Sequence, residues 1–141
     1  MMALVVDNER APAEVNVCIA DADEAAARRV AGLLGGLGAH LRRFASAAEL
    51  LAGVDNGTAC VICDAQLPDM PSDAVISALR AREHDVPVII LAEEGDVATA
   101  VTAMRAGALD FIEKAHADRL LIWHLRRLLE NRRGDRTPDA D

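Results

Sequence analysis

Three charged residues far apart in the chain each stand where an apolar run ends. Asp21 follows residues 15–20, Asp64 follows 59–63, and Lys114 comes just after 109–112. More carboxylates occupy the same kind of position, in Asp21-Ala22-Asp23-Glu24, in Ala92-Glu93-Glu94-Gly95 and at Glu113. Carboxylates gathered at one edge raise one another's pKa unless a cation neutralises them, and a hard ion such as Mg²⁺ needs only one or two carboxylates plus water. Lys114 adds a fixed positive charge suited to a phosphoryl oxygen. Phosphoryl transfer depends mainly on positioning and charge neutralisation, which makes Asp64 the candidate nucleophile. Taken singly, each acidic residue reads as a helix cap or a solvated side chain. Their joint placement, and the position of Asp64 between apolar residues and a proline-rich loop, argues for chemistry. The first loop has three acidic residues among four and no Gly, Ser or Thr, so it cannot cradle a phosphate-bearing cofactor.

The elements that must bring these residues together alternate strand-type and helix-period segments five times. Strands are predicted at 15–20, 40–44, 59–63, 87–91 and 109–112, the second more polar and therefore at an edge. Val30, Leu33, Leu34 and Leu37 form one helical stripe, ended by Gly35, Gly36 and Gly38. Ser46 and Glu49 make a capping box for a helix burying Ala47, Leu50, Leu51 and Val54. A proline-stiffened loop at 67–71 precedes a helix carrying Val75, Ile76 and Leu79. Asp96 is the N-cap of a helix with Val97, Ala100, Val101 and Met104 on one face, and Gly107 ends it. The last helix is predicted over 118–132. This pattern implies an α/β fold: a flavodoxin-like, doubly wound, five-stranded parallel sheet of order 2-1-3-4-5, with helices on both faces and the site at the carboxyl ends of the strands. Residues 14–133 form the domain, with polar tails at 1–13 and 134–141.

Fifteen Lys and Arg against 23 Asp and Glu leave a net charge of −8, which opposes direct binding of nucleic acid. With 141 residues there is room for one domain. Phe44, Phe111 and Trp123 are too few for a base-stacking platform or a membrane belt, and no apolar run approaches the roughly 20 residues a bilayer requires. A cytoplasmic location is expected. Cys18, Cys60 and Cys63 are an odd number within strand-like runs, so they read as reduced core thiols. Cys60 and Cys63 point to opposite faces of a strand and cannot grip one ion. His40, His84, His116 and His124 lack ligand spacing and read as surface or helix-end residues. Arg126, Arg127, Arg132 and Arg133 read as a solvated face complementing the last helix's dipole.

Over roughly residues 15–132 the chain resembles the receiver domain of two-component response regulators. The resemblance is carried by Val61-Ile62-Cys63-Asp64-Ala65-Gln66-Leu67-Pro68-Asp69-Met70, by Gly95-Asp96-Val97-Ala98-Thr99-Ala100-Val101, and by Ala106-Gly107-Ala108-Leu109-Asp110-Phe111-Ile112-Glu113-Lys114. It implies that Asp64 is the phospho-acceptor and that Asp21 belongs to the acidic pocket. It further implies that Gln66 offers a backbone carbonyl to Mg²⁺, that Lys114 contacts the phosphoryl group, and that Phe111 is a switch aromatic. A histidine kinase or phosphotransfer protein is the implied phosphodonor. The face formed by the fourth helix, fifth strand and fifth helix is implied to dock an output protein or a second copy.

The departures from the family are informative. Ala22 stands where a second Mg²⁺ carboxylate belongs, and Ala92 where a hydroxyl would bind the phosphoryl group. Glu93 replaces a small residue beside the phosphoryl entrance, and Ala115 a proline. Weak or absent Mg²⁺ binding follows, as does a degenerate site that is poorly phosphorylated or works without phosphorylation. Asp23 reaches the metal only from a displaced register. The last helix carries an apolar band, Leu120, Leu121, Ile122, Trp123, Leu125, Leu128 and Leu129, wider than one buried stripe needs. It either packs on the sheet or leaves Ile122 and Trp123 for an interface. The rival is an enzyme, a haloacid-dehalogenase-like phosphatase using Asp21 and Asp23. Against it stand Ala25 where Thr or Val is wanted, Ala100 where an acid is wanted, no Ser or Thr ending the third strand, and no cap insertion.

Overall fold

The computed structural model describes residues 15–135, with side chains as far as residue 131. The predicted tails therefore lie outside the described residues, apart from 134 and 135, which continue the last helix. The side chains of Arg132 and Arg133 also lie outside them.

The expected alternation is present. Strands β1 (Val15–Ala20), β2 (Ala39–Phe44), β3 (Thr58–Asp64), β4 (Val88–Ala92) and β5 (Asp110–Glu113) form one parallel sheet in the order β2-β1-β3-β4-β5. Helices α1 (Glu24–Gly35), α2 (Ala47–Gly53), α3 (Ser72–Ala81), α4 (Val97–Ala106) and α5 (Ala117–Asp135) cover both faces. This is the flavodoxin-like fold the sequence predicts.

Strand alternation divides the core. Cys18, Ala20, Val61, Cys63, Val88, Ile90 and Ala92 pack with α2, α3 and α4. Val17, Ile19, Cys60, Ile62, Ile89, Leu91 and Ile112 pack with α1 and α5. Cys60 and Cys63 accordingly face opposite ways, and the three cysteines are free and buried. Burial pushes the Cys60 and Cys63 thiols up to about 12.

Several boundaries shift for identifiable reasons. Pro87 is not in β4 because it has no N–H to give, although its carbonyl accepts from Val61 N–H at 2.9 Å. Leu109, predicted to start the fifth strand, lies just before it with its side chain exposed. The 67–71 loop contains a small antiparallel hairpin, Gln66–Leu67 with Met70–Pro71. Asp69 at its tip accepts from the N–H groups of Ala47 and Ala48, which holds its carboxyl below the usual range and ties the loop to the start of α2. Ser46 caps α2 as read, accepting from Glu49 N–H, while the Glu49 carboxylate reaches one residue further back than a capping box requires, to Ala45 N–H.

Val97, Val101 and Met104 share one face of α4 as read, and that face points to solvent; α4 buries Ala103 alone. One expectation is overturned. His124 is not a surface residue. It is buried against β5, where its Nε2 lies 2.7 Å from Asp110 Oδ2.

Candidate functional site

The site is built where β1, β3 and β5 end. Asp21 follows Ala20 directly, and its N–H donates to Phe44 O on the neighbouring strand. The Arg43 guanidinium reinforces that tie. Its Nε and Nη2 donate to Asp21 O at 3.2 and 2.9 Å, and Nη2 also reaches Ala22 O at 3.2 Å. Asp21, a residue only 3% exposed, accepts through its side chain from Asp23 N–H at 2.9 Å. Asp64 closes β3 half-buried and accepts from Gln66 N–H at 3.2 Å. Lys114 stands immediately after β5 and completes the lip. Its Nζ lies 3.5 Å from Asp64 Oδ2, 3.8 Å from Asp21 Oδ2 and 3.8 Å from Glu93 Oε2. Burial, with the neighbouring Asp64 charge, holds the Asp21 carboxyl above its usual range, against the opposing Asp23 N–H and Lys114 ammonium. Opposed charges this close to one another suit the reception of a group that is itself charged.

The carboxylates that meet at the lip, those of Asp21 and Asp64, would hold Mg²⁺, which keeps most of its water. Asp23 does not join them. Its carboxylate caps α1, accepting from Ala25 N–H at 3.0 Å and Ala26 N–H at 3.3 Å. Among the described residues no group of three or more His, Cys, Asp or Glu is arranged to hold a metal ion.

A family model for the response regulator receiver domain matches residues 17–126. The chain belongs to that family. Among curated relatives it is 35% identical over 112 residues to the transcriptional regulatory protein FixJ of Azorhizobium caulinodans, covering 79% of this chain and 53% of that one. It is 41% identical over 91 residues to the C4-dicarboxylate transport transcriptional regulatory protein DctD of Rhizobium meliloti, covering 64% and 20%. The crystal structure of FixJ-N superposes with a TM-score of 0.73 at 34% identity, covering 82% of this chain and 94% of that one. This receiver domain spans about half or less of the length of those curated relatives. Receiver domains are generally not enzymes, and they generally bind Mg²⁺ at the phosphorylation site.

Ala92 is buried at the end of β4, and Phe111 is half-buried on β5 against the same core layer. Ile122 is half-buried, while Trp123 is 52% exposed, its ring edge on His124 and the Arg127 guanidinium 4.9 Å from its centre. The wide band of α5 thus divides: Leu121 and Leu125 pack on the sheet, and Leu120 and Trp123 look outward. Sequence reading missed Arg43, because nothing in the polar run of β2 says which side chain will reach over the loop that follows the neighbouring strand β1. It also missed the His124–Asp110 pair, because residues 14 positions apart on a strand and a helix share no period. Nothing here favours the phosphatase, whose second carboxylate is spent on a helix cap. Among the described residues no helix is long and apolar enough to cross a membrane.

Proposed function

We propose that this receiver domain accepts a phosphoryl group on Asp64 weakly, and that it works chiefly by docking to other proteins. The observation that carries the reading is the convergence on Lys114 Nζ of the Asp64 and Asp21 carboxylates, from strands far apart in the chain. In the transfer an Asp64 oxygen attacks the phosphorus of a phosphohistidine on a histidine kinase or phosphotransfer protein. The new O–P bond forms as the P–N bond breaks, and its electron pair stays with the imidazole. Lys114 offsets charge on the phosphoryl oxygens. Mg²⁺ held by Asp21, Asp64 and the Gln66 carbonyl would neutralise the remaining charge.

The weakness comes from Ala22 and Ala92. Without the first carboxylate the cation is held more loosely, and without the hydroxyl the phosphoryl group loses a charge-assisted bond of roughly 1.5–3 kcal/mol. That bond would also couple the phosphoryl group to Phe111 on β5, so the switch is weakened along with the chemistry. Docking falls to the face of α4, β5 and α5, where Val97, Val101, Met104, Leu120 and Trp123 are exposed. Its occupant is an output protein or a second copy. A net charge of −8 argues against nucleic acid, and a kinase partner and free thiols suit the cytoplasm.

The test is acetyl phosphate with Mg²⁺ followed by intact mass. Substoichiometric gain is expected, lost in Asp64→Asn and increased by Ala22→Asp with Ala92→Thr. Stoichiometric gain in the unmodified chain, lost in Asp64→Asn, overturns the weak-acceptor reading.

A further inference from the structure

The ion pair at the mouth of the site carries one step more, and that step rests on Asp64 being the phospho-acceptor. Of the three carboxylates around Lys114 Nζ, two lie inside the lip and one lies outside. The Asp21 and Asp64 side chains are 4% and 16% exposed, whereas that of Glu93 is 85% exposed. Glu93 nevertheless has a fixed origin. It follows Ala92, which is buried at the end of β4 in register with Glu113 of β5. The turn it begins is tied back to that strand by Gly95 N–H donating to Glu113 Oε2 at 3.1 Å, with Gly95 at φ +84°. Both strands therefore fix the main chain from which Glu93 reaches Lys114.

We infer that Glu93 is an electrostatic gate on phosphorylation: its carboxylate occupies the outer side of the Lys114 ammonium and repels the phosphoryl group that must reach Asp64 past it. As an exposed ion pair the contact adds little to folding stability. Its effect falls on an incoming dianion. Across a few ångströms of water-like dielectric, removing one such charge speeds the approach about three- to tenfold at low salt, and less as salt screens it. Glu93 is thus a positioning residue acting through Lys114 and through its own field. The same charge, facing the phosphoryl group after transfer, also lowers occupancy.

The experiment measures the rate of phosphoryl incorporation from acetyl phosphate and Mg²⁺ by intact mass, with Glu93 and with Glu93→Gln. It is run in the full chain and in the full chain carrying Ala22→Asp and Ala92→Thr, which supply the missing carboxylate and hydroxyl. Expected is a three- to tenfold gain with Glu93→Gln in both backgrounds, shrinking at high NaCl, and no such gain with Glu93→Asp. Equal rates in the Ala22→Asp, Ala92→Thr background, with label lost in Asp64→Asn, overturn the gate and leave Asp64 as acceptor. A gain indifferent to salt also overturns it. Absence of label in that background overturns the acceptor reading and the gate together. If that background does not fold, beryllofluoride with Mg²⁺ is titrated against the chain with and without Glu93→Gln and followed by ¹⁹F NMR. Tighter binding by Glu93→Gln is expected, and equal binding or none overturns the gate.

Discussion

Helices α3 and α4 are both ten residues long and lie against the same layer of the core, yet they use their apolar side chains in opposite ways. α3 buries Val75, Ile76 and Leu79 completely, whereas α4 buries only Ala103 and turns Val97, Val101 and Met104 outward. Beyond Ala103 and Ala106, which pack on the core, α4 is held at its ends. Asp96 caps its start by accepting from Thr99 N–H at 3.1 Å. Gly107, at φ +111° and facing the Ile76 side chain, closes it in a left-handed turn that a residue with a Cβ would strain. One helix is a structural wall. The other is an apolar surface loosely pinned to that wall, and an element with so little buried area can shift or meet a partner at small cost.

The largest expected effect lies on the wall. Ile76→Ala should cost about 2–5 kcal/mol of unfolding free energy, because it empties space under both helices. Val101→Ala on α4 should cost within about 0.5 kcal/mol. Denaturant midpoints of the two variants check this, and equal losses would erase the distinction. Native-state hydrogen exchange sharpens the same contrast. α4 amides should exchange on the order of tenfold faster than those of α3, in keeping with opening below the global free energy.

The buried thiols give a pH-dependent measure. Cys63 lies on the α3–α4 side of the sheet and Cys60 on the α1–α5 side, each with its ordinary value of 9.0 pushed up to about 12 by burial. At pH 9 an unfolded chain alkylates readily while the native thiols stay protonated and covered. Labelling should therefore track unfolding and should be faster in Ile76→Ala. Fast labelling of native Cys63 alone would mean that the wall itself opens.

The lip stores a smaller strain. The Asp21 carboxyl holds its proton to higher pH in the folded chain than the ordinary 3.8, mainly through burial. Native protein therefore binds more protons in that window, and stability falls as pH rises from about 3.8 through the folded value. Asp21→Asn removes the loss. It should raise stability at pH 7 by on the order of 1 kcal/mol, with no gain below pH 4. Thermal midpoints at the two pH values decide it, and a gain present at both would assign the effect to packing.

Strand order and the meeting of Asp21, Asp64 and Lys114 were legible in the sequence because apolar runs that end in charge fix where a parallel sheet presents its chemistry. The surroundings of those residues were not. Asp23 and Glu24 look equally available along the chain, and only the turn of α1 commits Asp23 to Ala25 and Ala26. The stripe on α4 was legible as a stripe, but periodicity reports that apolar residues share a face, not what covers it. Val97 and Val101 are spaced like Val75 and Leu79, and the sheet reaches only the second pair.

The smallest expected change in stability is the one that tests what the α4 stripe is for. Val101→Glu places a charge on a side chain already 46% exposed, so the monomer should unfold within about 0.5 kcal/mol of the unmodified chain. Were Val101 an ordinary core residue, the same change would bury an unpaired carboxylate and unfold the domain. An exposed apolar row on a helix that buries little is retained at the risk of aggregation, and covering by a partner resolves that risk. Sedimentation of the chain across a concentration series should show self-association that Val101→Glu abolishes at unchanged thermal midpoint. A monomer at every concentration in both chains would reserve the row for an output protein.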